Sequence, residues 1–150
     1  MKNIFTEDVS TEVINRIGKL DASSKPAWGK MDVAKMLAHC NVTYELVYDN
    51  SHSKPGMFKR FLLTQFVKKL VVGEKPFKRD SPTASEFLIK DNKDFDKEKS
   101  RLVDYIRKTQ ELGETYFDNR ESHSFGNLSK TEWNNMFYKH LDHHLIQFGV

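Results

Sequence analysis

His140 and His144 stand four residues apart in KHLDHHLIQFG. On a helix that is one turn, so the two rings can be aimed at one point and hold one metal ion between them. A solitary histidine on an apolar stripe is ordinarily a core residue whose ring nitrogens are both hydrogen-bonded. A pair at this spacing asks for a further explanation, and a metal site asks for a third ligand from elsewhere in the chain. His143 is three residues from His140 and can share its face, but it leans away from the side that carries Trp133 and Phe137. His140 and His144 are the better pair.

The element that must position them runs from Leu128 to Val150. Ser129 followed three residues later by Glu132 is a capping box and predicts a helix starting at Lys130. Trp133, Met136, Phe137, His140, Leu141, His144, Leu145 and Phe148 then recur at the three- and four-residue intervals of one buried face. A second helix is predicted from Asp32, an N-cap, to about Asp49, with Val33, Met36, Leu37, Cys40, Tyr44 and Val47 as its apolar stripe. His39 sits at the margin of that stripe. From there its side chain can reach across a helical core towards His140 and His144, the way bundles build metal sites from facing helices.

Three further helices are expected. The first follows Ser10 as N-cap, with Val13, Ile14, Ile17 and Leu20 inward. Another spans about Met57 to Val72, with Phe58, Phe61, Leu62, Phe66, Leu70 and Val71 inward and Lys59, Arg60, Lys68 and Lys69 mostly outward. Such a basic amphipathic helix suits a membrane surface or a phosphate backbone, but a helix with a solvated lysine face has the same pattern and is the commoner case. The third covers about Asp94 to Phe117, with Phe95, Leu102, Val103, Ile106, Leu112 and Tyr116 inward. Asn50–Gly56, with a solvated His52, and Asp118–Asn127 read as loops. The long connection from Gly73 to Lys93, interrupted by Pro76 and Pro82, is expected to cover one end of the molecule. Asp94, Asp96 and Glu98 do not make a calcium loop, because Lys99 stands where the sharp turn needs glycine.

A chain of 150 residues suits one domain, residues 1–150. The net charge of +3 is too weak to point to nucleic acid. A single cysteine, Cys40, fits a reducing compartment, and no run approaches the ~18 apolar residues of a membrane span, so the expected location is cytoplasmic. Five helical segments without strand alternation predict an all-α fold, most simply a four-helix bundle with an additional short helix and a long connection.

Trp28, Met31, Met36 and His39 in AWGKMDVAKMLAHC, with His140, His144, Gln147 and Gly149 in KHLDHHLIQFG, resemble the two signature stretches of the DinB/YfiT-like metalloenzyme superfamily, in a branch without an assigned reaction. The resemblance covers nearly the whole chain. It implies a four-helix bundle in which a histidine of the second helix joins two histidines of the last around a divalent metal. In this chain those are His39, His140 and His144. It also implies a homodimer as one option, since relatives pair through helix faces, although no apolar seam in the sequence demands one.

Three imidazoles leave positions open on the ion, whereas a closed structural zinc site uses four protein ligands. Zinc or nickel is expected first, with manganese or iron also accepting such a site. An ion there lowers the pKa of water towards neutral or takes a thiol as its thiolate. The resemblance favours a low-molecular-weight thiol, hence a thiol-dependent transferase acting on a small electrophilic substrate. A hydrolase and a non-catalytic metal-containing binding or stress-response module are the alternatives. No residue is assigned a catalytic role. Gln147 is the first candidate for orienting a ligand from behind, ahead of Asn135, Tyr44 and Glu45, and Lys75, Lys78 and Arg79 are candidates for receiving an anionic thiol.

Overall fold

The computed structural model describes residues 1–49 and 51–150, so the predicted loop at 50–56 is described from Ser51 onwards. Helix α1 (Glu7–Gly18) begins earlier than Ser10 implies, with Thr6 at its N-cap and Glu7 and Asp8 in the first turn, where carboxylates complement the helix dipole. The start is fixed from outside the helix. Ile4 is fully buried and its N–H donates to Asn134 Oδ1 at 2.7 Å, which pins the chain just ahead of α1. Ser10 lies inside the helix instead, its hydroxyl donating to the Glu7 carbonyl.

Helix α2 (Val33–Tyr48) starts where Asp32 accepts from the Lys35 N–H at 2.8 Å. Every residue from Met36 to Tyr44 is buried, so α2 is the central helix, covered on all sides. The capping box at Ser129 and Glu132 is formed, and α6 (Lys130–Gln147) begins as its sequence predicts. With α5 (Phe95–Phe117) these helices pack round one core, in which Phe137 stacks on Trp133 and Tyr44 and meets Phe117 and Phe5 edge-on. Helix α5 is broken at Gly113 (φ 70°). The break shifts the register of its last turn, so Phe117 is buried and Tyr116 is exposed, the reverse of the periodic expectation.

The polar segment after α5 is a hairpin rather than a loop. Strands β1 (Arg120–Ser122) and β2 (Gly126–Leu128) pair antiparallel, Arg120 opposite Leu128 and Ser122 opposite Gly126. Ser122 closes the turn by donating its hydroxyl to the Gly126 carbonyl and accepting from the Phe125 N–H. The fold is therefore mostly helical with a small two-stranded sheet, which corrects the all-α expectation. Strands of three residues are too short for alternation to reveal.

The segment after Gly56 departs most from expectation. It comprises α3 (Met57–Leu62), a π-helical turn (Leu63–Val67) and α4 (Lys68–Val72). Phe58, Phe61, Leu62 and Phe66, expected inward, are exposed, Phe58 and Phe66 each at 77% and neighbouring Met57 at 91%. Leu63, Val67, Leu70 and Val71 border the interior cavity instead. The segment has two apolar sides, and the ion pairs decide which faces in. Lys59 reaches Glu86, Arg60 reaches Glu121 and Lys68 reaches Glu132, so three of the four basic residues point towards the body of the protein. Lys139 of α6, buried itself, donates to the Leu70 carbonyl at 2.8 Å and to that of Gly73, capping α4 at its negative end. Asn135 adds a bond to the Val72 carbonyl.

No helix among the described residues is long and apolar enough to cross a membrane. Replacing Lys139 with Met should cost about 1–3 kcal/mol, because two carbonyls lose a charged donor. Hydrogen exchange should quicken across 57–72 more than in α2; uniform quickening would mean that Lys139 is not what holds α4 in place.

Candidate metal centre

Helix α2 brings His39, and α6 brings His140 and His144 from successive turns, into one cluster whose ligand-capable atoms lie within 4.8 Å of one another. The ring centroids are 4.6 to 4.9 Å apart. His39 and His144 are buried, and His140 is partly exposed. Each ring has its outer nitrogen occupied. His39 Nδ1 lies 2.9 Å from the Phe87 carbonyl, His140 Nδ1 2.9 Å from Thr43 Oγ1, and His144 Nδ1 2.8 Å from Gln147 Oε1.

These partners dictate the tautomers. A carbonyl only accepts, so His39 carries its proton on Nδ1. Gln147 spends its amide N–H on the Trp28 carbonyl at 2.8 Å and presents oxygen to His144, which therefore also carries its proton on Nδ1. The inner Nε2 atoms of His39 and His144 are then bare lone pairs. His39 Nε2 and His140 Nε2 face each other at 2.9 Å, so in the metal-free protein His140 Nε2 donates and its Nδ1 accepts from the Thr43 hydroxyl. A hydroxyl both donates and accepts, so His140 can change tautomer without losing Thr43.

Burial holds all three rings neutral. It pushes His39 down, pushes His140 well down with help from its neighbours, and pushes His144 to about 3. Neutral imidazoles with their outer nitrogens oriented are the donor set that a divalent ion requires. Two nitrogens on one tetrahedral zinc at about 2.0–2.1 Å sit about 3.3 Å apart, so the 2.9 Å contact between His39 and His140 opens slightly while the wider separations in the cluster, up to 4.8 Å, close round the ion. The residues present fit the group.

The cluster forms part of the wall of a cavity of about 630 Å³. His143 joins that wall without joining the cluster, its ring set against Phe77 and Trp28. Trp28 and Gly29 are locked to the end of α6 by the Gln147 amide and by the Ala27 N–H, which donates to the Gln147 carbonyl at 2.8 Å. A Cβ on Gly29 would stand 2.8 Å from Gln147 Nε2, and Gly29 has φ +79°, so only glycine passes here without strain.

Of the four residues considered for orienting a ligand, Gln147 alone touches a cluster histidine. Asn135 serves α4, the Tyr44 hydroxyl has no hydrogen-bond partner among the described residues, and Glu45 binds Arg101 and His52, so His52 is tied down rather than solvated. Thr43 is not among those candidates, although its place one turn after His39 on α2 is the signal that points to it. The Phe87 carbonyl was not, since it arrives from a short 3-10 turn (Ser85–Phe87) inside the long connection. Lys75, Lys78 and Arg79 are absent from the cavity lining, and the Arg79 guanidinium stacks over the Trp28 ring at 4.3 Å. Cys40 is buried beside Met36, its thiol pushed up by burial, as a core residue.

The molecule is thus a mostly helical protein carrying three buried or half-buried histidines that can hold a metal ion. The chain belongs to the family described as "Protein of unknown function (DUF1569)", whose model matches residues 5–149. No curated protein and no solved structure matches it.

Gly29→Ala should destabilise the protein by about 2 kcal/mol through strain and the disturbed Gln147 contact. Gly18→Ala, where an added Cβ meets nothing within 4 Å, should be neutral or slightly stabilising. Equal thermal shifts for the two variants would contradict the lock between Gly29 and Gln147.

Proposed function

We propose that the protein is a divalent-metal-dependent enzyme in which His39, His140 and His144 hold the ion, and that α1, α2, α5 and α6 form a four-helix bundle of the DinB/YfiT-like kind. One observation carries the reading: three inner imidazole nitrogens from two helices converge while every outer nitrogen is fixed by a separate partner. In the metal-free protein His140 Nε2 donates to His39 Nε2 and the inner nitrogen of His144 is left as a bare lone pair beside them, an arrangement that a core of satisfied histidines does not require.

Zinc or nickel is the first expectation for such ligands, with manganese or iron acceptable. Three protein ligands leave room for a further one from the cavity, which favours catalysis over a structural ion. When bound, the ion would supply Lewis acidity, activating a thiol or water at neutral pH and polarising a substrate. The chain's own residues do the rest. The Phe87 carbonyl, Thr43 and Gln147 set the rings' tautomers and directions, and the connection bearing Phe77 and Phe87 shields the site from bulk water. A thiol-dependent transfer onto a small electrophile is the reaction class that the resemblance supports, with the thiol as cosubstrate.

Elemental analysis of the untagged protein should find close to one divalent ion per chain, absent from His39→Ala and His144→Ala while their helical circular dichroism persists. Gln147→Leu should keep the fold and weaken the metal by about 10- to 100-fold. A native protein that takes up no metal on reconstitution would overturn the reading. Metal without any metal-dependent turnover of thiols and electrophiles would leave a binding module in its place.

A further inference from the structure

The cavity in front of the histidines is far larger than a single water or thiol needs. At about 630 Å³ it matches pockets that enclose a whole small molecule. Its inner walls are apolar: Val47 from α2, Leu63, Val67 and Val71 from the π-helical turn and α4, Phe125 from the hairpin and Met136 from α6. The π-helical turn matters here, because π-bulges cluster at functional sites and this one sets the side that Leu63 and Val67 present.

Charge is distributed just as unevenly. The three ligand candidates are neutral, and among the described residues no carboxylate joins their cluster. The acids that border the cavity are Glu86, held by Lys59 at 2.6 Å, and Asp80, which is exposed, and Lys30 and Lys59 border it too. A divalent ion on three neutral imidazoles therefore keeps its full double charge beside apolar walls, where it is stabilised most by an anion brought in from outside.

Resting on the metal reading above, we infer that the substrate or cosubstrate is an amphipathic monoanion. A thiolate or carboxylate head sits at the focus of His39, His140 and His144, and an alkyl or aryl body fills the chamber between α2, α4, α6 and the hairpin. A thiol entering this way gives its proton to bulk water and binds as the thiolate; a carboxylate enters already ionised. The preference for a long body comes from the apolar walls, and the preference for an anionic head from the uncompensated site.

Cobalt-loaded full-length protein titrated with n-alkanethiols from ethanethiol to hexanethiol tests both halves. Thiolate binding is read from the sulfur-to-cobalt charge-transfer absorption in the near ultraviolet, and hexanoate and hexanol are titrated as competitors. Kd should fall about three- to fourfold for each added methylene, and hexanoate should compete far better than hexanol. Val71→Trp, with Val67→Phe as a milder filler of the same chamber, should raise the hexanethiol Kd at least tenfold more than the ethanethiol Kd, with cobalt uptake retained. Cobalt uptake with equal affinity along the series would overturn this inference alone. Hexanol competing as well as hexanoate would overturn the anionic head. Failure to take up cobalt at all would overturn the metal reading beneath it.

Discussion

Everything at the site depends on three outward hydrogen bonds. Because the Phe87 carbonyl, Thr43 and Gln147 each take one nitrogen of one imidazole, the remaining three nitrogens are left to face each other. In water such lone pairs would be solvated, but here burial keeps the rings neutral. The metal-free protein resolves the conflict in part by placing a proton between His39 and His140. An ion resolves it for all three rings together.

The rest of the structure serves to keep those three partners where they are. Gln147 orients His144 only because its amide is committed to Trp28, and that commitment requires Gly29 to lack a side chain. The Phe87 carbonyl is delivered by the connection between α4 and α5, whose start is set where Lys139 and Asn135 fasten α4 to α6. Lys59 then ties α3 to Glu86, the residue next to Phe87. A salt bridge on the surface contributes little stability by itself. This one is better understood as register: it links the segment that roofs the chamber to the turn that orients His39. The roof's outer side, with Met57, Phe58 and Phe66, stays exposed because the cavity needs the other side.

Much of this was legible in the sequence, for identifiable reasons. Caps at Asp32 and Ser129 mark two helix starts because an N-cap is a local device, whereas Ser10, read the same way, lies inside α1. The helical spacing of His140 and His144 and the place of His39 on its stripe anticipate their meeting, and Gln147, one turn beyond His143, was within reach of the same reasoning. What escaped was set by tertiary context. The hairpin is too short to show a period, and the glycine break in α5 shifts its last turn. The apolar residues of 57–72 form two stripes, and only partners distant in sequence, such as Glu86, Glu121 and Glu132, determine which turns inward. A backbone carbonyl such as that of Phe87 carries no side-chain signal at all.

Nitrogen-15 NMR of the imidazole rings during zinc titration examines the central claim at the atoms that make it. Without metal, His39 and His144 should be protonated on Nδ1 and His140 on Nε2. With one equivalent of zinc, His140 should move its proton to Nδ1 and all three Nε2 resonances should take metal-bound shifts. Zinc that leaves the His140 tautomer and the three Nε2 resonances unchanged would contradict the account, and would make these histidines part of the core alone.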